Sequence, residues 1–333
     1  MIGRVKRTVT IDDVAREAKV STSTVSYVLS GKRPISAPTR KRVEQAIAEL
    51  GYRPHAGARA LASSRTNTIA LMVPLRVGVN VHVIMEFVGG VVARARDFSH
   101  DVLLLTQDDV SGLDRVTSGS IVDALVMMDV EADDPRVPVV AAADQPSVLI
   151  GLPADPEGLS CVDLDFEAAG RLAVRHLAAA GHQEIGLIGA PPEVMARHTS
   201  YADRLLRGFR TQAELAGVAI RVEPCEASPA GGRAAVDRLL AKAPGTTGLL
   251  VHNEGALPHV LARLAETGRQ PDVVALCPAD VAAAQTVPLA HIELPAEAIG
   301  RTAVDMVMAR LEGEVPAETR LLAPALIQPR PAS

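Results

Sequence analysis

The sequence predicts an all-α helix-turn-helix unit at the N-terminus, followed by an α/β body of two similar lobes. Charge divides the chain at the same place: residues 1–66 carry 13 Lys and Arg against 5 Asp and Glu, and the rest carries 21 against 34. From Thr66 onward, short apolar runs alternate with amphipathic stretches, which is typical of parallel βαβ units. With 333 residues, 48% of them hydrophobic, the chain is long enough for two or three domains with apolar cores.

The first predicted element is a short helix that begins after Thr10. The Thr10 side chain is placed to cap this helix, and Asp13, three residues later, completes a variant of the capping box. The apolar residues of the segment then fall on one helical face: Ile11, Val14, Ala15 and Ala18. A break at Lys19 and Val20 ends the helix.

A second short helix follows the break, capped by Ser21 and ended by Gly31. Its apolar residues are expected to face the first helix: Val25, Val28 and Leu29. A third helix is predicted over Ala37–Leu50, with Gly51 at its end. Two short helices joined by a tight turn form a helix-turn-helix.

The exposed face of the second helix is rich in hydroxyl groups. Its polar positions are those left after the apolar ones turn inward: Thr22, Ser23, Ser26 and Tyr27. Hydroxyl groups hydrogen-bond phosphate oxygens and base edges, and a basic unit on an acidic body is the charge pattern of a nucleic-acid-binding module. The alternative is that these residues are ordinary solvated side chains. The charge division favours DNA binding.

Residues 9–31, 36–43 and 50–55 closely resemble the head of LacI-type repressors. The resemblance implies that the second helix enters the major groove of double-stranded DNA, where Thr22, Ser23 and Tyr27 would read bases. It implies a further group of DNA contacts, mostly nearer the phosphates: Thr10, Ser21, Ser26, Ser30, Ser36, Thr39 and Tyr52.

Two positions depart from the usual family pattern. Lys19 stands in the turn where the family usually has glycine, and a non-glycine residue in the left-handed conformation costs about 1 kcal/mol. Tyr27 stands where the family often has arginine. This exchange removes a bidentate donor to guanine, so the base preference at that position is left open.

Residues 54–65 form a small-residue segment between the head and the body. The segment is too short to be a stable helix alone in water. In the LacI family the matching segment folds as a hinge helix when two copies meet in the minor groove, where Leu61 would wedge between base pairs. The resemblance adds His55, Ala58 and Arg59 to the DNA contacts. The alternative is a plain linker.

The body is expected to contain two doubly wound lobes, with one cycle of strands and helices from Thr68 and another from Ala168. Residues 162–177 and 181–189 resemble the effector body of the same family, which is similar to periplasmic sugar-binding proteins and holds its ligand between two lobes. The predicted domains are a helix-turn-helix domain at 1–53, a hinge at 54–65 and a body at 66–333. Lobe one is expected at about 66–164 plus 292–320, and lobe two at about 165–291 plus the tail.

The family's sugar-holding residues are only partly matched in this chain; for example, Leu205 stands where many members have arginine. With four Phe, three Tyr and no Trp, aromatic platforms for a sugar ring are expected to be scarce. The candidate effector contacts are Asn80, His82, Tyr201, Arg204, Asn253 and Glu254. The alternative for each of them is an ordinary surface or capping role.

Several classes of protein are excluded by the sequence. No apolar segment follows the basic residues 1–7 as it would in a signal peptide, and no stretch has the length of a membrane span. Cys161, Cys225 and Cys277 form no Cys-x-x-Cys pair, and they are expected to be reduced and buried in a cytoplasmic protein. No metal-ligand spacing, cofactor motif or catalytic motif is complete, so we expect no metal, no cofactor and no enzymatic activity.

The sequence therefore predicts a homodimeric, LacI-like transcriptional regulator that binds a pseudo-palindromic operator. We expect it to repress a sugar-uptake or catabolic operon and to be switched by a small molecule. A carbohydrate is the first candidate for that molecule. The first-strand side of the lobes is the expected dimer interface, and no leucine heptads follow Arg320 to build a tetramer. Two alternatives remain: a regulator with a non-sugar effector or none, and a small-molecule binding protein whose basic head has no role.

Overall fold

The computed structural model describes residues 9–30, 33–52, 65–73, 75–76, 80–106, 109–118, 121–313 and 315–329. The chain divides into two compact units, residues 1–67 and 68–333, which are described separately below. The predicted hinge contacts His55, Ala58, Arg59 and Leu61 lie outside the described residues.

The head contains helices α1 (Ile11–Ala18), α2 (Thr22–Ser30) and α3 (Ala37–Leu50). The predicted capping box is confirmed, because Thr10 accepts a hydrogen bond from the Asp13 backbone and Asp13 accepts one from the Thr10 backbone at 3.0 Å. Lys19 ends α1 in the left-handed conformation, with φ 50° and ψ 50°. The turn between the first two helices therefore has a residue in the left-handed conformation, which glycine adopts most readily and which Lys19 adopts here.

The three helices enclose a small apolar core. Its fully or nearly fully buried members are Val14, Ala15, Ala18, Val25, Val28, Val43, Ala46 and Tyr52. Val25 and Val28 face inward as predicted, but the prediction for Leu29 is wrong, since this side chain is 39% exposed. Leu29 lies in the last turn of α2.

The first lobe of the body is built on a six-stranded parallel sheet. Its strands are β1 (Thr68–Met72), β2 (Asp101–Leu105), β3 (Ala124–Met127), β4 (Ser147–Ile150), β5 (Ser160–Leu164) and β11 (Thr319–Leu322). The order across the sheet is β11-β5-β4-β3-β1-β2, so β2 is an edge strand. The final strand returns from the C-terminal part of the chain to pair with β5.

The second lobe repeats this architecture. Its strands are β6 (Glu184–Gly189), β7 (Ala219–Pro224), β8 (Gly248–Val251), β9 (Asp272–Cys277), β10 (Ala290–Glu293) and β12 (Leu326–Ile327). The order is β12-β10-β9-β8-β6-β7, with β12 antiparallel to β10. The two cycles of strands and helices predicted from the sequence are therefore confirmed as two doubly wound lobes.

Helices cover both sheets. They are α4 (Val81–Asp97), α5 (Val110–Ser118), α6 (Val137–Ala141), α7 (Phe166–Ala179), α8 (Pro192–Ala196), α9 (Ser200–Ala216), α10 (Pro229–Lys242), α11 (Leu257–Thr267), α12 (Ala279–Ala283) and α13 (Ala296–Glu312). Helix α4 packs against α13 in lobe one, and α7 packs against α9 in lobe two.

Glycines allow both helix pairs to approach closely. A Cβ atom on Gly90 of α4 would collide with the backbone of Glu297 in α13, and one on Gly300 would collide with the backbone of Phe87. The α7 and α9 pair uses Gly170 and Gly208 in the same way. Each lobe therefore depends on two glycines at the crossing of its main helix pair, which indicates related packing in the two lobes.

Gly90→Ala is expected to destabilise the body by about 1–3 kcal/mol, because the added methyl group forces two helices apart. The matched control is Gly89→Ala in the next position, where a Cβ would meet nothing within 4 Å. That change is expected to be neutral or to stabilise by up to about 1 kcal/mol, since alanine is the better helix former. Urea unfolding followed by circular dichroism measures both, and equal effects would contradict the packing role of Gly90.

Candidate functional site

The reading surface of the head is the exposed side of α2. Thr22 and Ser23 are exposed, and Ser26 and Tyr27 are half-buried. Ser21 caps the helix, because its hydroxyl accepts a hydrogen bond from the Thr24 backbone at 3.2 Å. The cap orients the first turn of α2, where its free N–H groups and hydroxyls are available to a phosphate or a base edge.

A guanidinium group lies beside the reading surface. The Arg33 guanidinium carbon is 5.3 Å from the centre of the Tyr27 ring, which is within the range of a cation–π contact. Sequence reasoning missed this residue. Arg33 belongs to no motif that was singled out, and its only sequence signal was its contribution to the positive charge of the head.

The predicted phosphate contacts fall into two groups. Ser36 and Thr39 lie at the start of α3, where the Ser36 hydroxyl donates to the Thr39 hydroxyl at 2.9 Å, and Thr10 lies at the start of α1. Tyr52 is different: it is only 6% exposed and packs in the core of the head. The ring therefore stabilises the core of the head, and a phosphate contact through its hydroxyl stays a prediction.

The body contains a cavity of about 140 Å³ at the strand ends of the two sheets. Four of the six predicted effector residues line it: Asn80, Tyr201, Asn253 and Glu254. Other lining residues include Phe87, Asp129, Asp163, Phe166 and His252. Carboxyl ends of parallel strands are where open α/β sheets bind ligands, so this cavity, called the cleft below, is the candidate effector site.

Aromatic rings are concentrated in the cleft, which corrects the expectation that they would be scarce. The Phe166 and Tyr201 ring centroids are 5.5 Å apart, and the His252 ring meets Tyr201 edge-on at 5.6 Å. Phe87 adds a further ring to the lining. Overall composition was a poor guide here, because two of the four Phe and one of the three Tyr converge on one cavity.

Titrating groups in the cleft are shifted toward their neutral forms. Burial raises the pKa of the Glu254 carboxyl to about 7, although a hydrogen bond from the Asn80 side chain acts in the opposite direction. Burial also lowers the pKa of His252 to about 4. Near neutral pH, Glu254 is therefore present partly as a neutral carboxylic acid, which donates as well as accepts hydrogen bonds.

Arg204 lies behind the cleft wall, so its prediction as a direct effector contact is corrected. It is 5% exposed and is absent from the cleft lining. One of its nitrogens donates to Asp163 at 2.9 Å, and its guanidinium lies 5.5 Å from the Phe166 ring centre. Burial raises the pKa of Asp163 to about 6 even though Arg204 opposes the shift. Arg204 is therefore placed to position a carboxylate and a ring that do line the cleft.

His82 also lies outside the cleft lining, and its prediction as an effector contact is corrected in the same way. Its side chain is 60% exposed and hydrogen-bonds Asp280 of the other lobe at 2.9 Å. Asn80 and His82 are separated by one residue, but Asn80 caps α4 at the cleft and His82 projects from the first turn of the helix.

Charged residues also join the lobes beside the cleft. Arg197, which precedes α9, donates to Asp129 and Glu131 at 3.1 Å each. Arg76 of lobe one contacts the same two carboxylates at 3.2 and 2.9 Å. The Ser200 backbone donates to Val130 at 2.9 Å. Both lobes therefore hold the segment after β3, and a change in their separation has to break or move these contacts.

Two further expectations bear on the class of protein. Cys161, Cys225 and Cys277 are all buried free thiols, as predicted. Within the described residues, no helix has both the length and the apolar character needed to cross a membrane. A helix-turn-helix head on a two-lobed body with a cavity at its strand ends is typical of ligand-responsive DNA-binding proteins.

Comparison with known proteins agrees with this class. A model of bacterial regulatory proteins of the lacI family matches residues 10–55, and a periplasmic binding protein-like domain matches residues 174–330. The HTH-type transcriptional regulator CelR of Thermobifida fusca is 30% identical over 95% of this chain and 96% of its own length. Catabolite control protein A of Priestia megaterium is 30% identical over 64% of this chain and 63% of its own length.

Solved structures show the same relationship. A transcriptional regulator CelR–cellobiose complex matches with a TM-score of 0.68 and 26% identity, covering 96% of this chain and 99% of that one. The lac repressor dimer bound to operator and an anti-inducer matches in fold, with a TM-score of 0.82 and 24% identity over 97% of this chain and 98% of that one. The chain belongs to the lacI family of bacterial regulatory proteins and is a DNA-binding transcriptional regulator.

The raised pKa of Glu254 predicts a specific pH dependence of stability. The folded state holds the proton up to about pH 7, whereas an unfolded glutamate releases it near pH 4.3. Stability from this group is therefore fully present below about pH 4 and is lost as the pH rises toward 7. Glutamine has no proton to release. Between pH 5 and pH 8, the Glu254→Gln variant is therefore expected to lose roughly 1–3 kcal/mol less stability than the unchanged protein. Unfolding of both proteins at pH 5 and pH 8 measures it, and parallel pH profiles would contradict the assignment.

Proposed function

We propose that the protein is a homodimeric repressor of a sugar-uptake or catabolic operon, switched by a carbohydrate in the cleft. Two heads would bind the two halves of a pseudo-palindromic operator. The effector would favour one separation of the lobes over another, and this preference is the free energy that couples the cleft to DNA binding. Such a regulator acts in the cytoplasm and has no catalytic activity of its own.

The composition of the cleft is the observation that carries the carbohydrate proposal. A sugar ring offers apolar C–H faces to aromatic rings and hydroxyls to polar groups. The cleft supplies rings from Phe166 and Tyr201, an amide from Asn80, and carboxyls from Asp163 and Glu254. The similarity to CelR, whose complex with cellobiose is solved, supports a β-linked disaccharide as the first candidate.

We propose an apolar surface of lobe one as the dimer interface. Val81, Met85 and Val92 are exposed on one side of α4, and Leu104 is exposed on the edge strand β2, on the face of the sheet that α4 covers. Helix α4 packs directly against β2, so the two elements form one surface. An exposed apolar surface of this kind marks an interaction site. A second copy of the chain fits it, because an operator with two half-sites requires two heads.

We also propose that Arg33 contributes to base reading. It brings a guanidinium to the Tyr27 ring, next to the position where the family often has arginine. Arg33→Gln is expected to reduce discrimination at one base pair of each half-site by about 1–3 kcal/mol. Arg16→Gln, which changes an exposed arginine of α1, is the control and is expected to weaken binding to all sequences alike. Affinities for single-base operator variants separate the two effects.

The proposed function is tested with purified protein and DNA from upstream of its own gene, by fluorescence anisotropy at fixed salt. Cellobiose, other disaccharides and monosaccharides are added in turn. A sugar that changes operator affinity at least ten-fold, about 1.4 kcal/mol of coupling, supports the proposal. Tight operator binding that no sugar changes would overturn the carbohydrate effector and favour a regulator with a different effector or none. The body alone is the control, and it should bind the sugar without binding DNA.

A further inference from the structure

Three metal-ligand side chains from both lobes converge outside the cleft. His82 and Glu86 lie on α4 of lobe one, and Asp280 lies on α12 of lobe two. The His82 Nε2 atom is 2.9 Å from an Asp280 oxygen and 3.5 Å from a Glu86 oxygen. One potential ligand atom from each residue lies within 4.8 Å of the other two. Within the described residues, this is the one group of three such ligands.

Local structure holds these residues in place. His82 and Glu86 are four residues apart on a helix, which puts their side chains on one face. Asn80 caps the helix by accepting a hydrogen bond from the His82 backbone at 3.1 Å, which fixes the first turn. Asp280 accepts a hydrogen bond from the Val281 backbone at 2.8 Å through one oxygen and reaches His82 with the other. The arrangement therefore needs only small side-chain rotations to surround an ion.

The charge around the group is negative. Glu86 and Asp280 both line a groove of about 790 Å³ that also contains Glu293 and Glu297. The Glu86 and Asp280 carboxylates both lie beside the His82 ring, so their negative charges lie close together and repel each other. Arg301 is the positive side chain of the groove lining, and it is within 4.0 Å of Glu297. A divalent cation between Glu86 and Asp280 would remove the repulsion.

We propose that His82, Glu86 and Asp280 form a binding site for a divalent transition-metal ion such as Zn²⁺. One imidazole and two carboxylates are suitable ligands for zinc, at about 2.0–2.2 Å from the ion. A tetrahedral ion at those distances separates its ligand atoms by roughly 3.4 Å, and the His82 Nε2 atom is already 2.9 and 3.5 Å from its two carboxylate partners. The imidazole favours a transition metal over Mg²⁺, which prefers oxygen ligands and retains its waters.

The site would act as a clamp between the lobes. Two ligands belong to lobe one and the third to lobe two, so the ion binds fully only when the lobes have the separation seen here. By linkage, an ion that prefers one arrangement shifts the protein toward it. The metal would therefore be a second effector, and its binding would be coupled to that of a ligand in the cleft, because both depend on the separation of the lobes. This inference does not depend on the carbohydrate proposal, because metal binding is measured without DNA or sugar.

Isothermal titration of tag-free, full-length protein with Zn²⁺ tests the site. We expect one ion per chain, and at least about ten-fold weaker binding in His82→Ala and in Asp280→Asn. Asp203→Asn is the matched control, since Asp203 pairs with the exposed His198 at 3.1 Å but belongs to no group of three ligands among the described residues. The affinity of Asp203→Asn for Zn²⁺ should equal that of the unchanged protein. No binding, or binding that His82→Ala leaves unchanged, overturns the site.

Thermal unfolding tests the clamp. Saturating Zn²⁺ is expected to raise the unfolding midpoint of the unchanged protein and of Asp203→Asn by roughly 2–4 °C or more. The midpoint of Asp280→Asn is expected to stay within about 1 °C of its value without Zn²⁺. Each variant is compared with itself with and without metal, so that loss of the His82–Asp280 hydrogen bond cancels. Mg²⁺ at the same concentration should produce no shift. An equal Zn²⁺ shift in Asp280→Asn would show that lobe two takes no part, and it would overturn the clamp.

Discussion

Leu104→Asp is expected to make the protein monomeric and to weaken specific operator binding by at least about 100-fold. Leu104 is 40% exposed on the edge strand β2, within the proposed dimer interface. A carboxylate there would be desolvated without a partner on association. One head contacts only half of an operator, and specific binding exceeds nonspecific binding by about 10³–10⁷ when the whole site is read. Analytical ultracentrifugation gives the oligomeric state, and anisotropy gives the operator affinity.

The chain offers a matched control for this change. Leu215 is 76% exposed on α9, far from α4 and β2 in the sequence and in the other lobe. Leu215→Asp should remain dimeric and bind operator normally. If Leu104→Asp is still a dimer, or if both variants dissociate, the proposed interface is wrong. Both positions are on the surface, so both variants are expected to fold. Circular dichroism checks this.

Arg204→Met is expected to destabilise the body by about 3–5 kcal/mol and to weaken effector binding at the same time. Arg204 and Asp163 form a buried ion pair, each side chain 6% exposed. Removing one partner leaves the other as an uncompensated buried charge, which costs more than the pair itself contributes. The pKa of Asp163, about 6 with Arg204 present, should then rise further. The loss should therefore be larger at pH 8 than at pH 5.

Two companions make this prediction specific. The double variant Arg204→Met with Asp163→Asn removes both charges and should recover much of the stability, since no ion is left unpaired. Arg207→Met removes an arginine three residues away that is 57% exposed and pairs with Glu167. A surface pair contributes about 0–1 kcal/mol, so this loss should be small. Equal losses for Arg204→Met and Arg207→Met in urea unfolding would contradict the buried role of Arg204.

The head and the alternating body were predictable because their signals are local. The capping box at Thr10 and Asp13 and the cap at Ser21 act within three residues. Helix α3 spans Ala37–Leu50 and ends at Gly51, as the signals at its two ends predict. Strands such as β7, with only one buried residue, were missed, because their weak pattern resembles that of a loop. Family resemblance supplied the roles that local patterns do not encode.

The cleft was only half predictable, because its residues come from segments far apart in the sequence. Asn80 and Glu254 were found as motif positions, whereas Phe166 and His252 were missed, since only the folded sheets bring them within 6.0 Å. Spacing also gave no indication that Arg204 lies behind the wall.

Contacts between distant segments are set by the register of strands and the packing of helices, which no short window of sequence contains. The pairing of His82 with Asp280, 198 residues apart, is of the same kind. Amino-acid order established that this chain binds DNA through a helix-turn-helix and carries a two-lobed body. Which side chains meet in the cleft and across the lobes depends on packing energies summed over the whole fold.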